Sequence, residues 1–130
     1  MAERSRDWMD QAHRDLEHAR TSIESGHFEW ACFAAQQAAE KAVKAVHERL
    51  GGVAWGHSVT ELLAGLGEHV EVPRNLLGLA RALDRVYVPS RYPSGLVAGS
   101  PKDYYMEEDA EGAVGDSGEI LRFCEGLLAG

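Results

Sequence analysis

Apolar residues recur every three or four positions along most of this chain, which is the spacing that gathers them on one face of an α-helix. The first stripe begins at Trp8 and ends at Ile23, and we predict that Gly26 terminates this helix near Ser25. A short third helix is predicted to begin at Ser58, because Ser58-Val59-Thr60-Glu61 has the spacing of a capping box.

The second helix, predicted from about residue 27 to residue 50, has a stripe made mostly of alanine. Trp30 and Phe33 widen this stripe until its first turns are apolar on nearly every side. A helix of that kind is buried against several neighbours. Glu40 and Lys44 are four residues apart and are predicted to support each other on the outer face.

The remaining helices are separated by a long irregular segment, residues 88–102. The fourth helix is predicted to begin at Pro73, and Pro89 and Pro93 are predicted to close it. The last helix is predicted from residue 101 or 103 to residue 128. Three glycines lie within it, and they indicate either close packing or a broken helix: Gly112, Gly115 and Gly118.

These elements predict an all-α fold, an antiparallel four-helix bundle with one additional short helix. A chain of 130 residues is expected to form a single domain over residues 1–130. No apolar run is long enough to span a membrane, and the charged N-terminus does not lead into an apolar signal segment. We therefore expect a cytoplasmic protein with no membrane contact.

Charge limits the partners that this chain can bind. The net charge is −8, and residues 102–130 contain eight acidic residues against two basic ones. An acidic chain repels a phosphate backbone, so we expect no extended DNA-binding surface. A local basic pocket for one phosphate group is compatible with this charge.

No metal or cofactor site is predicted. None of the six histidines has another histidine four residues away, and the chain has no P-loop or nucleophile elbow. Cys32 and Cys124 lie on apolar helix faces, so we predict buried structural thiols.

Polar chemistry concentrates in residues 81–92, which contain three arginines and two tyrosines against one aspartate. An arginine binds phosphate with two donors, and a neighbouring tyrosine stacks on a base or donates a hydrogen bond. The alternative is a solvated charge group in which Arg81 and Arg85 pair with Asp84, while Arg91 neutralises the acidic last helix.

Two motifs resemble the HEPN domain family. Residues 33–45 read Phe-Ala-Ala-Gln-Gln-Ala-Ala-Glu-Lys-Ala-Val-Lys-Ala, similar to the second helix of that family, and the turn Arg91-Tyr92-Pro93 follows at the right separation. The resemblance covers roughly residues 5–128. It implies an up-and-down four-helix bundle, usually dimeric, that binds nucleotide or RNA near the Arg-Tyr-Pro turn. It also implies a small nucleotidyltransferase encoded alongside as a partner, as in toxin–antitoxin systems.

Many members of the family are ribonucleases with a histidine a few residues after the arginine. Here residues 92–98 contain no histidine, which argues against enzymatic activity. The first interpretation is therefore a nucleotide-binding and interaction module. In it, Arg91 contacts a phosphate with help from Arg85 or Lys41, and Tyr92 or Tyr105 contacts the base or sugar.

Two further interpretations are open. The chain could be a metal-independent endoribonuclease in which Arg91 stabilises charge and His57 is the general base. His57 could equally be a loop residue that fixes the start of the third helix. Alternatively, the bundle is a dimerisation unit without a ligand. We expect at least a dimer in every case, because the second helix together with Trp55 presents more apolar surface than one bundle covers.

Overall fold

The computed structural model describes residues 3–87 and 90–130, and these residues form helices and turns with no β-strand. The all-α fold predicted from the sequence is confirmed. The helices, in chain order, are α1 (Ser5–Glu24), α2 (Phe28–Arg49), α3 (Val59–Leu66), α4 (Arg74–Asp84), α5 (Pro101–Tyr104) and α6 (Glu107–Ala129), with a 3₁₀ turn at Pro93–Gly95.

Helix α2 is the centre of the fold. It packs against α1 and α6 along most of its length, and against α3 and α4 on another side. Its alanines allow these neighbours to approach closely, and twelve of its residues are buried. The prediction of a helix buried on several sides is confirmed. The other helices contribute larger apolar side chains to the core, and Met9, Leu63 and Ile120 are among those with no exposed surface.

Both cysteines are buried, as predicted, and neither forms a disulfide. Burial raises the pKa of the Cys32 thiol to about 12 and the pKa of the Cys124 thiol to about 12. Thiols with such a pKa are not nucleophilic at neutral pH, so both residues serve packing.

The predicted last helix is wrong at its start, because two capping carboxylates divide the segment into α5 and α6. The Asp103 carboxylate accepts hydrogen bonds from the Ser100 amide and hydroxyl at 3.0 and 3.1 Å. The Asp109 carboxylate accepts one from the Met106 amide at 2.8 Å and so starts a second helix at Glu107. The chain is extended at Tyr105 and Met106, between the two helices.

The three glycines of the last helix do not break it, since α6 is continuous from Glu107 to Ala129. A Cβ added at Gly112 or Gly115 would meet nothing within 4 Å, so these two residues serve no close packing. Helix α4 ends at Asp84, earlier than predicted. Pro89, predicted to close α4, lies outside the described residues.

None of the helices within the described residues is long and apolar enough to cross a membrane.

Candidate functional site

Arg91 lies within a frame of three aromatic rings. Its guanidinium carbon is 4.5 Å from the ring centre of Phe33, 4.5 Å from that of Tyr87 and 4.9 Å from that of Tyr92. Its Nε donates a hydrogen bond to the Tyr87 carbonyl at 3.2 Å. Cation–π contacts at these distances stabilise the charged form and fix the orientation of the guanidinium plane.

The charge of Arg91 is not paired with a carboxylate of the described residues. Among residues 3–87 and 90–130, no carboxylate forms a salt bridge with Arg91, and only its Nε donates a hydrogen bond. Arg91 therefore makes no ion pair with the last helix within this part of the chain. A half-buried guanidinium whose terminal nitrogens have no hydrogen-bond partner among the described residues is suited to binding an anion with two donors.

His57 and Arg91 both contact the ring of Tyr87. The imidazole stacks on Tyr87 with ring centres 5.5 Å apart, and its Nδ1 lies 3.2 Å from Oε2 of Glu40. An ionised carboxylate only accepts hydrogen bonds, so Nδ1 is the donor in this contact. The His57 side chain is 62% exposed, so a ligand can reach the imidazole.

Glu40 is the buried member of this group, with 4% of its surface exposed. Its carboxylate accepts hydrogen bonds from Lys44 Nζ at 3.1 Å and from Gln37 Nε2 at 3.1 Å, in addition to the contact with His57. The predicted pairing of Glu40 with Lys44 is confirmed, but the prediction that Glu40 faces outward is wrong. A buried carboxylate requires several donors, and α2 and the segment before α3 supply them.

Asp84, at the end of α4, fixes the beginning of α3. Its carboxylate accepts hydrogen bonds from the Val59 and Thr60 amides at 2.9 Å each and from the Ser58 hydroxyl at 3.0 Å. The Thr60 hydroxyl donates a further bond at 2.7 Å. Asp84 is therefore engaged by α3, and no salt bridge to Arg81 or Arg85 occurs within the described part of the chain.

The structure contains one of the two hydrogen bonds of the predicted capping box. The Ser58 hydroxyl accepts a hydrogen bond from the Glu61 amide at 3.1 Å, as predicted. Asp84, rather than Glu61, satisfies the other amides of the first turn. Gln36 of α2 donates a hydrogen bond to the His57 carbonyl at 2.9 Å and so connects α2 to the segment before α3. This network holds the His57 backbone beside Tyr87.

The predicted site residues lie in three places. Tyr92 is beside Arg91, as the sequence suggests. Lys41 forms an ion pair with Asp15 at 2.7 Å in a groove between α1 and α2, which neutralises its charge. Arg85 and Tyr105 line a separate depression of about 340 Å³ between α4 and α6.

The depression at Arg85 is acidic, because Glu108, Asp109 and Asp116 line it as well. Burial raises the pKa of Tyr105 and the pKa of Asp116. Arg85 begins the turn after α4, six residues before Arg91, and none of the described residues lines both this depression and the one beside Arg91. Arg85 and Tyr105 are thus not brought to Arg91.

Sequence reasoning missed Phe33, Glu40 and Asp84 as parts of the site. Phe33 and Glu40 belong to the motif of the second helix, but a periodic pattern assigns the first to the core and the second to the surface. One feature of the sequence could have indicated these residues. The second helix is apolar on several sides but contains the polar run Gln36-Gln37, and polar residues on such a helix must find buried hydrogen-bond partners.

Comparison with known proteins identifies chains that are similar to this one. Residues 5–127 match the HEPN domain family. A Methanocaldococcus jannaschii protein named "Putative toxin MJ1304" is 26% identical over 130 residues, which cover 93% of this chain and 86% of that protein.

Three solved structures are similar over nearly their whole lengths. TT1696 from Thermus thermophilus is 47% identical with a TM-score of 0.94, and the match covers 97% of this chain and 99% of that one. ST0689, an archaeal HEPN homologue, is 41% identical with a TM-score of 0.82 and coverage of 96% and 98%. An HEPN domain protein of Thermotoga maritima is 45% identical with a TM-score of 0.79 and coverage of 95% and 98%.

Proposed function

The chain belongs to the HEPN domain family, and from this we propose that it is a nucleotide-binding and interaction module of the toxin–antitoxin type, with Arg91 as its phosphate contact. The observation that carries the proposal is the guanidinium of Arg91, held by three aromatic rings without a carboxylate partner among the described residues. The toxin relative supports the type of system. Tyr92, half exposed beside Arg91, is proposed to contact the base or sugar.

The chain is proposed to form a dimer through a patch at the C-terminal end of α2. Val53 and Trp55, in the segment before α3, are 72% and 84% exposed, and Trp8 and Leu50 are partly exposed as well. Trp8 and Val53 line one depression, so these two residues are neighbours. Apolar side chains gathered in this way favour burial against a second copy.

Light scattering at micromolar concentration is expected to give a dimer mass for the wild-type chain. Trp55→Glu is expected to give the monomer mass, because a charge in an apolar interface is costly to bury. Val97→Asp is the matched control, since Val97 is a fully exposed apolar residue in the segment before α5. A wild-type monomer, or a dimer that Trp55→Glu leaves intact, would contradict the proposed interface.

A small nucleotidyltransferase is proposed as the protein partner, on the basis of the family and the toxin relative. The exposed acidic face of α6, which includes Glu107, Glu108 and Glu111, offers a surface to a basic partner. Co-expression with a nucleotidyltransferase encoded beside this chain is expected to give a single complex on gel filtration. Separate elution of the two proteins at micromolar concentration would contradict the pairing.

A second candidate function is metal-independent cleavage of RNA, and the contact between His57 and Glu40 favours it. In such cleavage, His57 Nε2 removes the proton of a ribose 2′-hydroxyl, the oxygen attacks the adjacent phosphorus, and the 5′-oxygen leaves with a proton from water. Arg91, against the same Tyr87 ring as His57, would stabilise the added negative charge.

Cleavage of single-stranded RNA in the presence of a chelator tests this second function. It predicts products that end in a 2′,3′-cyclic phosphate and a loss of at least about a hundredfold in rate for His57→Ala. Glu40→Gln is expected to reduce the rate less and to shift its pH profile, because the carboxylate orients the imidazole. His69→Ala is the matched control, since His69 is an exposed histidine beyond α3. Binding of RNA without cleavage would contradict this second function, and only the nucleotide-binding and interaction module would remain.

A further inference from the structure

Trp30 extends the aromatic group that surrounds Arg91. It lies in the first turn of α2, is 48% exposed, and meets Phe33 edge to face with ring centres 6.2 Å apart. Phe33 is one of the rings against the Arg91 guanidinium. A large aromatic ring, half open to solvent and one ring away from an unneutralised arginine, has the surface needed to stack a flat ligand.

Trp30 also lies in the wall shared by two neighbouring depressions. The first, about 210 Å³, is lined by Arg91 and Lys102 together with Ser90, Ser100, Pro101 and Glu29. The second, about 230 Å³, lies between α1 and α2 and is lined by Phe33, Ala34, Gln37, Lys41, Asp15 and His18. Each is smaller than the roughly 300–1,000 Å³ of ordinary ligand pockets, so a specific ligand would need both.

The two depressions differ in chemistry. The first is lined by two cationic groups, by the Glu29 carboxylate and by Ser90, whose buried hydroxyl has no hydrogen-bond partner among the described residues. Lys102 contacts only the exposed Asp103 there, at 3.3 Å, a pair that an anion can easily replace. The second depression has aromatic walls and, in Gln37 and Lys41, polar groups at its edge. One part fits an anion and the other fits a flat polar ring.

We propose that Trp30 is the stacking platform for the base of one nucleotide unit whose phosphate is bound by Arg91 and Lys102. The inference rests on the proposed function and adds its ligand class, a base with an attached phosphate, either as a free nucleotide or within a single strand. A base in a duplex is stacked and paired, so duplex RNA is excluded from the platform.

Fluorescence of Trp30 tests the proposal. In the double variant Trp8→Phe and Trp55→Phe, Trp30 is the sole tryptophan of the chain. Nucleoside monophosphates and short single-stranded RNA are expected to quench its emission saturably, whereas ribose 5-phosphate and a duplex of the same sequence are not. Which of the first two probes binds more tightly distinguishes a free nucleotide from a strand. Quenching of equal size by ribose 5-phosphate would overturn the proposal.

Affinity measurements separate the platform from the phosphate contact. Trp30→Ala is expected to weaken nucleotide binding about tenfold, the effect typical of one lost stacking contact, and to leave the affinity for inorganic phosphate unchanged. Met106→Ala, at an exposed apolar residue that lines neither depression, is the control and should change neither. If Trp30→Ala binds nucleotide like the wild type while Arg91→Ala does not, Trp30 does not stack the base, and only the phosphate contact of Arg91 is supported. If the wild-type chain binds none of these probes, the proposed function fails as well.

Discussion

Arg91→Ala is expected to weaken the binding of nucleotide or single-stranded RNA by about ten- to a hundredfold. A hydrogen-bonded contact between arginine and phosphate contributes about 1.5–3 kcal/mol, and each 1.4 kcal/mol corresponds to about a factor of ten in affinity. The loss should be large because the chain carries a net charge of −8, so overall charge does not attract the ligand. Fluorescence anisotropy of a labelled oligonucleotide at low salt measures the effect.

Two variants sharpen this prediction. Arg91→Lys should also lose much of the affinity, because a single ammonium cannot replace the planar guanidinium that contacts the rings of Phe33 and Tyr87. Arg20→Ala is the matched control, since Arg20 is exposed on α1 and forms no salt bridge with another described residue. Equal losses in the Arg20 and Arg91 variants would show that binding depends on general charge rather than on this site.

Asp84→Ala is expected to lower the free energy of unfolding by about 2–4 kcal/mol, the range found when a partly buried hydrogen-bonded carboxylate is removed. The variant leaves the Val59 and Thr60 amides at the first turn of α3 without their acceptor. It also removes the acceptor of the hydrogen bonds that the Ser58 and Thr60 hydroxyls donate. The midpoint of thermal unfolding should fall by roughly 10 °C for a chain of this size.

Urea unfolding followed by circular dichroism measures the stability change. Asp84→Asn should cost less than Asp84→Ala, because the amide oxygen still accepts from one backbone donor. Asp10→Ala, at an exposed position of α1, should stay within about 0.5 kcal/mol of the wild type. A loss for Asp84→Ala no larger than that of Asp10→Ala would mean that the network does not fix α3.

The sequence was sufficient for the helices and their burial, because periodic apolar residues determine both. Trp8, Leu16 and Ile23 share a face only in a helix, and Gly26 has the positive φ that ends one. The boundary between α5 and α6 was missed because two carboxylate caps six residues apart, Asp103 and Asp109, act locally without a change in the apolar pattern.

The site was predictable only in part, because its members come from distant segments. Arg91 and Tyr92 were found as a local cluster of arginine and tyrosine, whereas Phe33 joins them only through the packing of α2. Arg85 was grouped with Arg91 by proximity in sequence, but α4 ends just before Arg85, and Arg85 lines the depression between α4 and α6. Long-range pairs such as Glu40 with His57 leave no periodic signal.

Binding of a nucleotide phosphate by Arg91 can be followed by nuclear magnetic resonance of the arginine side-chain Nε–H groups. The resonance of Arg91 is assigned by its absence in Arg91→Lys. During titration with a nucleoside monophosphate at low salt, we expect this resonance to shift saturably while that of Arg20 stays in place. A stationary Arg91 resonance, with or without shifts at other arginines, would mean that Arg91 does not bind the phosphate.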